Sequence, residues 1–290
     1  MRTIALILAA CAASTLNWST PAKCAPPAAA EQRLARITVR AVGQGSPVVL
    51  IPGLASPPAV FDDVAAKLGK DHRLIFVQVN GFAGAPPAAT VDNLLPGAVD
   101  ELAGWLAANH VQKAAVIGHS MGGLMAMMLV KAHPETTGRL MIVDSLPFYG
   151  MLFGPSATAD TVRPIVEQMR AGLANGTKPL EVPPHMSNTD TGKAKIQAWL
   201  QASDRKTVGE ALVEDATTDF RPDLPALPPI PVTVLFAAPT AEAKPMTAAI
   251  YRDAYKGLPN ATLIPVDGSE HFIMLDQPQQ FERAVEAFVR

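Results

Sequence analysis

Residues Val111 to His133 read VQKAAVIGHSMGGLMAMMLVKAH, and no other stretch restricts the fold as tightly. Ala114 to Ile117 is a short apolar run, Gly118-His119-Ser120-Met121-Gly122 fits G-x-S-x-G, and Leu124 to Val130 suits a buried helix. The order is strand, sharp turn, helix. A serine hydroxyl is a weak nucleophile until a base accepts its proton, and it must stand clear of the backbone to meet both base and substrate. A tight turn achieves this but draws neighbouring chains so close that small residues are needed at Gly118 and Gly122, with Gly123 fitting the same packing. The helix that starts after Ser120 points free N–H groups toward negative charge developing there. The Met121 N–H is therefore a candidate oxyanion donor.

The flanking pattern extends the strand–helix order. Ile37 to Val42 alternates like a half-buried edge strand, and Pro47 to Ile51 is a continuous apolar run, as in a strand covered on both faces. Ala59 to Leu68 has helical spacing, Leu74 to Val79 is rich in β-formers, and Val91 to Asn109 places Leu94, Leu95, Val99, Leu102, Trp105 and Leu106 on one side of a long helix. Arg139 to Val143 is a strand ending at Asp144. Pro231 to Phe236 and Thr262 to Val266 are further strands, Pro245 to Leu258 and Gln279 to Val289 further helices. Strand alternating with helix in this way predicts an α/β fold with a doubly wound, mostly parallel sheet.

Between Leu146 and Pro222 the pattern changes to short helical pieces, such as Val162 to Leu173 and Lys193 to Gln201, separated by Pro- and Gly-rich linkers. We read 37–145 and 223–290 as the core and 146–222 as an inserted cap. The start of the insertion is rich in large apolar residues: Phe148, Tyr149, Met151, Leu152 and Phe153. They suit the wall of an acyl or alcohol pocket, and equally the cap's own core. Phe82, in the loop Asn80 to Gly84, has the same two readings, pocket mouth or packing.

Residues 1–25 differ in character: Arg2 gives a positive start, Ile4 to Ala13 is apolar, and Thr20 to Ala25 is a small-residue region. This reads as a signal peptide, cut after Ala22 or Cys24, and predicts an exported protein of the periplasm or the medium. Leu8-Ala9-Ala10-Cys11 also fits a lipid-attachment box, the alternative destination. The apolar stretch is too short to span a bilayer, so no permanent membrane anchor is expected. Residues 26–36, rich in Ala, Pro and charge, read as a tether. The only cysteines are Cys11 and Cys24, and a net charge of −2 without any basic run gives no electrostatic case for nucleic acid.

On GHSMGG, Val48 to Gly53 (VVLIPG), Asn80 to Gly84 (NGFAG) and Ser269 to Pro278 (SEHFIMLDQP), the chain from about Ile37 onward resembles the α/β-hydrolase superfamily. The resemblance implies a Ser-His-acid triad and usually ester or amide hydrolysis. It places the general base at His271, just after the last strand. It also gives the second oxyanion N–H to Leu54, although Pro52 replaces the histidine usual in that loop. The acid departs from the pattern. Most relatives carry an aspartate in the loop after the strand at 232–236, and here that loop reads Ala237-Ala238-Pro239-Thr240-Ala241-Glu242. Asp144 lies where some members, including certain haloalkane dehalogenases, place their acid, and we prefer it to the alternative, Glu242.

Of the other histidines, His72, His110 and His133 fall near element ends, His119 occupies a structural position in the turn, and His185 lies in the cap. None has metal-ligand spacing, and no cofactor is implied. The expected activity is that of a carboxylic ester hydrolase on a small-molecule ester or related acyl substrate. Rivals of the same fold are a lactonase, a proline-releasing aminopeptidase and a carbon–carbon bond hydrolase. The rival of another class is a binding module that kept the fold.

Overall fold

The computed structural model describes residues 30–154 and 156–290; the signal-peptide reading, and the tether reading up to residue 29, lie outside them. Its strands are β1 (Ala30–Arg33), β2 (Ile37–Val42), β3 (Ser46–Ile51), β4 (His72–Val79), β5 (Ala114–His119), β6 (Thr137–Val143), β7 (Val232–Ala238) and β8 (Ala261–Asp267). Its helices are α1 (Asp62–Leu68), α2 (Leu94–Ala108), α3 (Met121–Ala132), α4 (Ala159–Ala174), α5 (Asp190–Gln201), α6 (Arg205–Thr217), α7 (Lys244–Ala254), α8 (Ile273–Asp276) and α9 (Pro278–Val289). One sheet runs in the order β1-β2-β4-β3-β5-β6-β7-β8. β1 and β2 pair antiparallel, every strand from β4 to β8 runs parallel to its neighbour, and β2 meets β4 antiparallel.

The continuous apolar runs arise because the sheet is covered on both faces. Along β3, Val49 and Ile51 pack with α2 and α3 in one core, while Val48 and Leu50 pack with Val64, Leu68, Phe281 and Val285 of α1 and α9 in the other. A fully buried side chain of this size contributes roughly 1.5–3 kcal/mol, so the alternation fixes register strongly.

Two expectations need correction. β2 is not the sheet edge, because Ala30–Arg33, read as part of a tether, pairs with it from Ala30↔Ala41 to Arg33↔Thr38. Residues 31–33 are exposed, so β1 is held through its backbone and leaves no alternation to read. The helix expected from Val91 starts at Leu94, because Asn93 adopts a left-handed backbone (φ 50°). Its first N–H groups, of Leu94 and Leu95, donate to the Glu214 carboxylate of α6 at 2.7 and 2.6 Å.

Between β6 and β7 the described residues add no strand. It forms α4, α5 and α6 with short 3-10 turns, and α4 packs along α6. The sequence signalled α4 and α5 but not α6.

Candidate active site

The parallel strands bring four segments to one end of the sheet. β3 ends in Pro52-Gly53-Leu54, β5 in Ser120, β6 in Asp144, and β8 leads to His271. Open α/β sheets bind ligands beyond the carboxyl ends of their strands, and these are those ends.

Ser120 stands in a strained turn, with φ 55° and ψ −128°. Its N–H donates to the Val143 carbonyl at 2.9 Å, and its own carbonyl accepts from the Gly123 N–H at 2.7 Å. The small residues have the predicted cause. A Cβ on Gly118 would lie 2.2 Å from the Gly122 oxygen, and one on Gly122 would lie 2.2 Å from the Ile51 oxygen. Any side chain there would push β5, α3 and β3 apart.

Ser120 Oγ lies 2.9 Å from His271 Nε2, and His271 Nδ1 lies 2.7 Å from Asp144 Oδ2. Asp144 Oδ1 accepts from the Ala237 N–H at 2.7 Å and from the Tyr251 hydroxyl at 3.0 Å. A carboxylate that accepts from the imidazole can only take a proton-bearing Nδ1, so Nε2 is left bare toward the serine. The acid reaches the site through a left-handed backbone at Asp144 (φ 43°), a conformation that costs a non-glycine residue energy and persists where its surroundings enforce it. The loop preferred by most relatives takes no part through its acid: Glu242 is exposed.

The loop carrying His271 is anchored along its length. The Glu270 N–H donates to Asp276 Oδ2 at 2.8 Å, and the N–H groups of His271 and Phe272 donate to the carbonyls of His185 and Met186 at 3.1 and 2.8 Å. The His271 carbonyl faces His119 Nε2 at 3.0 Å. A carbonyl cannot donate, so that nitrogen carries the proton, and Nδ1 of His119 is a buried acceptor without a partner. Burial, followed by the proximity of His271, lowers the His119 pKa to about 3. A neutral ring packed at 4.8 Å from the His271 ring therefore supports it without adding a second positive charge.

Leu54 and Met121 both line the cavity at the serine. Among the described residues neither N–H donates to another protein group, so both are available to an oxygen beside Ser120. The cavity has a volume of about 780 Å³, within the usual range for small-molecule sites. Its wall is mainly apolar, with Leu146, Leu152, Met169, Leu173, Leu200 and Ile250 among the lining residues.

Tyr149 lines this cavity, but Phe82 and Phe148 do not, which corrects two of the three pocket residues expected. Phe82 is wholly buried in the core, because the start of α6 seals its loop: Asp204 N–H donates to the Gly81 carbonyl at 2.6 Å. Phe148 is the centre of a separate apolar cluster with Val162, Val166, Val213 and Ala216, and the Arg221 guanidinium lies 4.7 Å from its ring centroid. His185, expected only as a cap residue, pairs with Glu270 at 3.2 Å beside the cavity.

Among the cavity residues that were not foreseen, Tyr251 and Asp215 bear on the chemistry. Asp215 follows Ala211 by one helical turn and Val208 by two, a spacing that puts it on their buried face. That periodicity was the available signal. Nothing in the sequence marks Tyr251 beyond its place on a helix after β7.

A model of the Alpha/beta hydrolase family matches residues 48–284. The chain belongs to that family. Pimeloyl-[acyl-carrier protein] methyl ester esterase of Aeromonas hydrophila subsp. hydrophila is 32% identical over 113 residues, which cover 39% of this chain and 43% of the esterase. Polyketide synthase ThaQ of Burkholderia thailandensis is 28% identical over 273 residues, 88% of this chain and 12% of the synthase. The matches thus span less than half the length of these two relatives. In fold, the chain is similar to the enol-lactonase from Burkholderia xenovorans, with a TM-score of 0.66 at 17% identity over 87% of this chain and 96% of that one. It is similar also to a thermophilic esterase from Thermogutta terrifontis, with a TM-score of 0.67 at 19% identity over 90% and 98% of the two chains. This α/β hydrolase therefore has relatives named as esterases.

Proposed function

We propose that this α/β hydrolase is a carboxylic ester hydrolase that works through an acyl-enzyme on Ser120. The observation that carries the reading is the continuous contact from Ser120 Oγ to His271 Nε2 at 2.9 Å and from His271 Nδ1 to Asp144 at 2.7 Å. Ser120 Oγ attacks the acyl carbon while its proton passes to His271 Nε2. The carbonyl oxygen, now negative, takes hydrogen bonds from the N–H groups of Leu54 and Met121. Asp144 stabilises the imidazolium and keeps the proton of Nδ1 in place. Collapse breaks the bond to the alkoxide, which leaves with the proton from Nε2. Water, losing a proton to the same nitrogen, then attacks the acyl-enzyme, and the acid is released with Ser120 restored.

The apolar lining of the cavity supports a substrate whose acyl or alcohol part is hydrocarbon. The same steps open a lactone, whose leaving alkoxide stays attached to the acyl group. A fluorophosphonate probe tests the reading: labelling of the native protein, lost in Ser120→Ala, is expected. A native protein that stays unlabelled, together with no turnover of p-nitrophenyl esters of any chain length, would leave a binding module in its place. We propose further, from residues 1–25, that the protein is exported, which cell fractionation with the full-length gene tests.

A further inference from the structure

Among the acids of the cavity wall that the steps above leave unused, Asp215 is the buried one without a partner side chain. It projects from α6 on the face of Val208 and Ala211, is 7% exposed, and lines the cavity that holds Ser120 and His271. Among the described residues no N–H or O–H donates to it and no cationic side chain pairs with it. Burial raises its pKa to about 7, with the neighbouring His271 acting in the opposite direction. The two glutamates of the wall are provided for, since Glu270 pairs with His185 at 3.2 Å and Glu181 is exposed.

A buried carboxyl without a partner destabilises the fold, whereas a leucine on the same helical face would pack without that cost. What satisfies it must come from the cavity: water in the free protein, and the substrate once one is bound. We propose that Asp215 is a specificity-determining residue: it accepts a hydrogen bond from an N–H group on the substrate, so that the preferred esters carry an amide or a protonated amine where a plain hydrocarbon chain would lie under α6. This rests on the ester-hydrolase reading for its turnover assay but not for its binding assay. The amide and the ammonium share the chemistry, an N–H aimed at an oxygen, and differ in charge. A site built around a polar partner discriminates more sharply than an apolar one, because the analogue lacking the donor leaves the carboxyl unpaired.

The test compares three p-nitrophenyl esters of matched length: heptanoate, N-acetyl-4-aminobutyrate and 6-aminohexanoate. For the native protein, kcat/KM for at least one N–H-bearing ester should exceed that for heptanoate by about tenfold or more. Asp215→Leu should remove that preference. Asp215→Asn, which keeps an acceptor oxygen but no charge, should retain the preference if the amide is preferred and lose it if the ammonium is. A ratio of one or less for both N–H-bearing esters, or a ratio unchanged in Asp215→Leu, overturns the proposal while leaving the hydrolase standing. If no ester is turned over, calorimetry with N-propylbutanamide and hexylamine on the Ser120→Ala protein decides independently. Binding of one of them about tenfold tighter than to the Ser120→Ala, Asp215→Leu protein supports the assignment, and equal or absent binding overturns it.

Discussion

Asp144→Asn is the substitution whose consequence the geometry defines most closely. Oδ1 accepts from the Ala237 N–H and the Tyr251 hydroxyl at 2.7 and 3.0 Å, and Oδ2 faces His271 Nδ1 at 2.7 Å. In asparagine only one of these atoms stays an acceptor. If the amide oxygen keeps the two donors, the NH₂ group turns to His271 and selects the tautomer with a bare Nδ1 and a protonated Nε2, which cannot accept from Ser120. If the amide flips to serve the histidine, two donors face an NH₂ group, and each unsatisfied donor costs about 1–3 kcal/mol. At the lower end the pair costs about 2–3 kcal/mol, which leaves on the order of one molecule in a hundred in the productive arrangement. The charge that stabilises the imidazolium is lost as well. We therefore expect kcat/KM for p-nitrophenyl butyrate to fall at least about a hundredfold, or about 2.7 kcal/mol in transition-state stabilisation. Glu242→Gln should leave it within about twofold, and circular dichroism should show both variants folded. Loss of activity in Glu242→Gln with Asp144→Asn within about fivefold of the native rate would refute the tautomer argument and move the acid.

Other outcomes follow from the contacts around the site. Tyr251→Phe removes one of the two donors to Asp144 Oδ1 while leaving the ring stacked 4.6 Å from Phe236, so kcat should fall by about three- to tenfold with little change in KM. Glu214→Ala leaves the first N–H groups of α2 without their acceptor and should lower stability by about 1–2 kcal/mol, read as a lower urea midpoint. The pH dependence of stability should show two buried groups acting oppositely. His119, with a folded pKa of about 3 against an ordinary value of 6.5, binds fewer protons when folded, so its contribution is lost as pH falls between those values. Asp215, at about 7 against 3.8, binds more protons when folded, so its contribution is lost as pH rises between them. Where the windows overlap, from 3.8 to 6.5, the two slopes oppose each other, and Asp215→Leu should make the dependence of stability on pH more positive than in the native protein, by on the order of 1 kcal/mol per pH unit. A slope that the substitution leaves unchanged would contradict the burial argument for Asp215.

The legible parts of this chain were those where one physical requirement acts on adjacent residues. The elbow was readable because nucleophile, glycines and helix start must coincide within a few positions, and the inner strands because burial on both faces forces uninterrupted apolar runs. β1 was invisible because it contributes backbone and little side-chain burial. Phe82, Phe148 and Asp215 show the harder case. An aromatic in a loop has no preferred side until a second segment packs on it, and the spacing that places Asp215 can be read only once α6 is recognised; Phe82 depends on the same helix, which the Pro- and Gly-rich surroundings concealed.

The position of the acid follows from neighbouring strands rather than from one loop. β6 and β7 are adjacent and parallel, paired from Leu140↔Val232 to Val143↔Leu235. A carboxylate released at the end of β6 thus lies beside the end of β7, where the superfamily resemblance implies an aspartate that this sequence lacks. The left-handed turn at Asp144 swings the carboxylate across, with the Asp144 N–H held by the Leu235 carbonyl at 2.8 Å. β7 then returns a donor through Ala237, and the helix after it returns another through Tyr251. The segment without the acid has become the support for the acid next door. Both strands therefore bear on the charge at His271, and a change in β7 or α7 that moves either donor alters the imidazole without touching it.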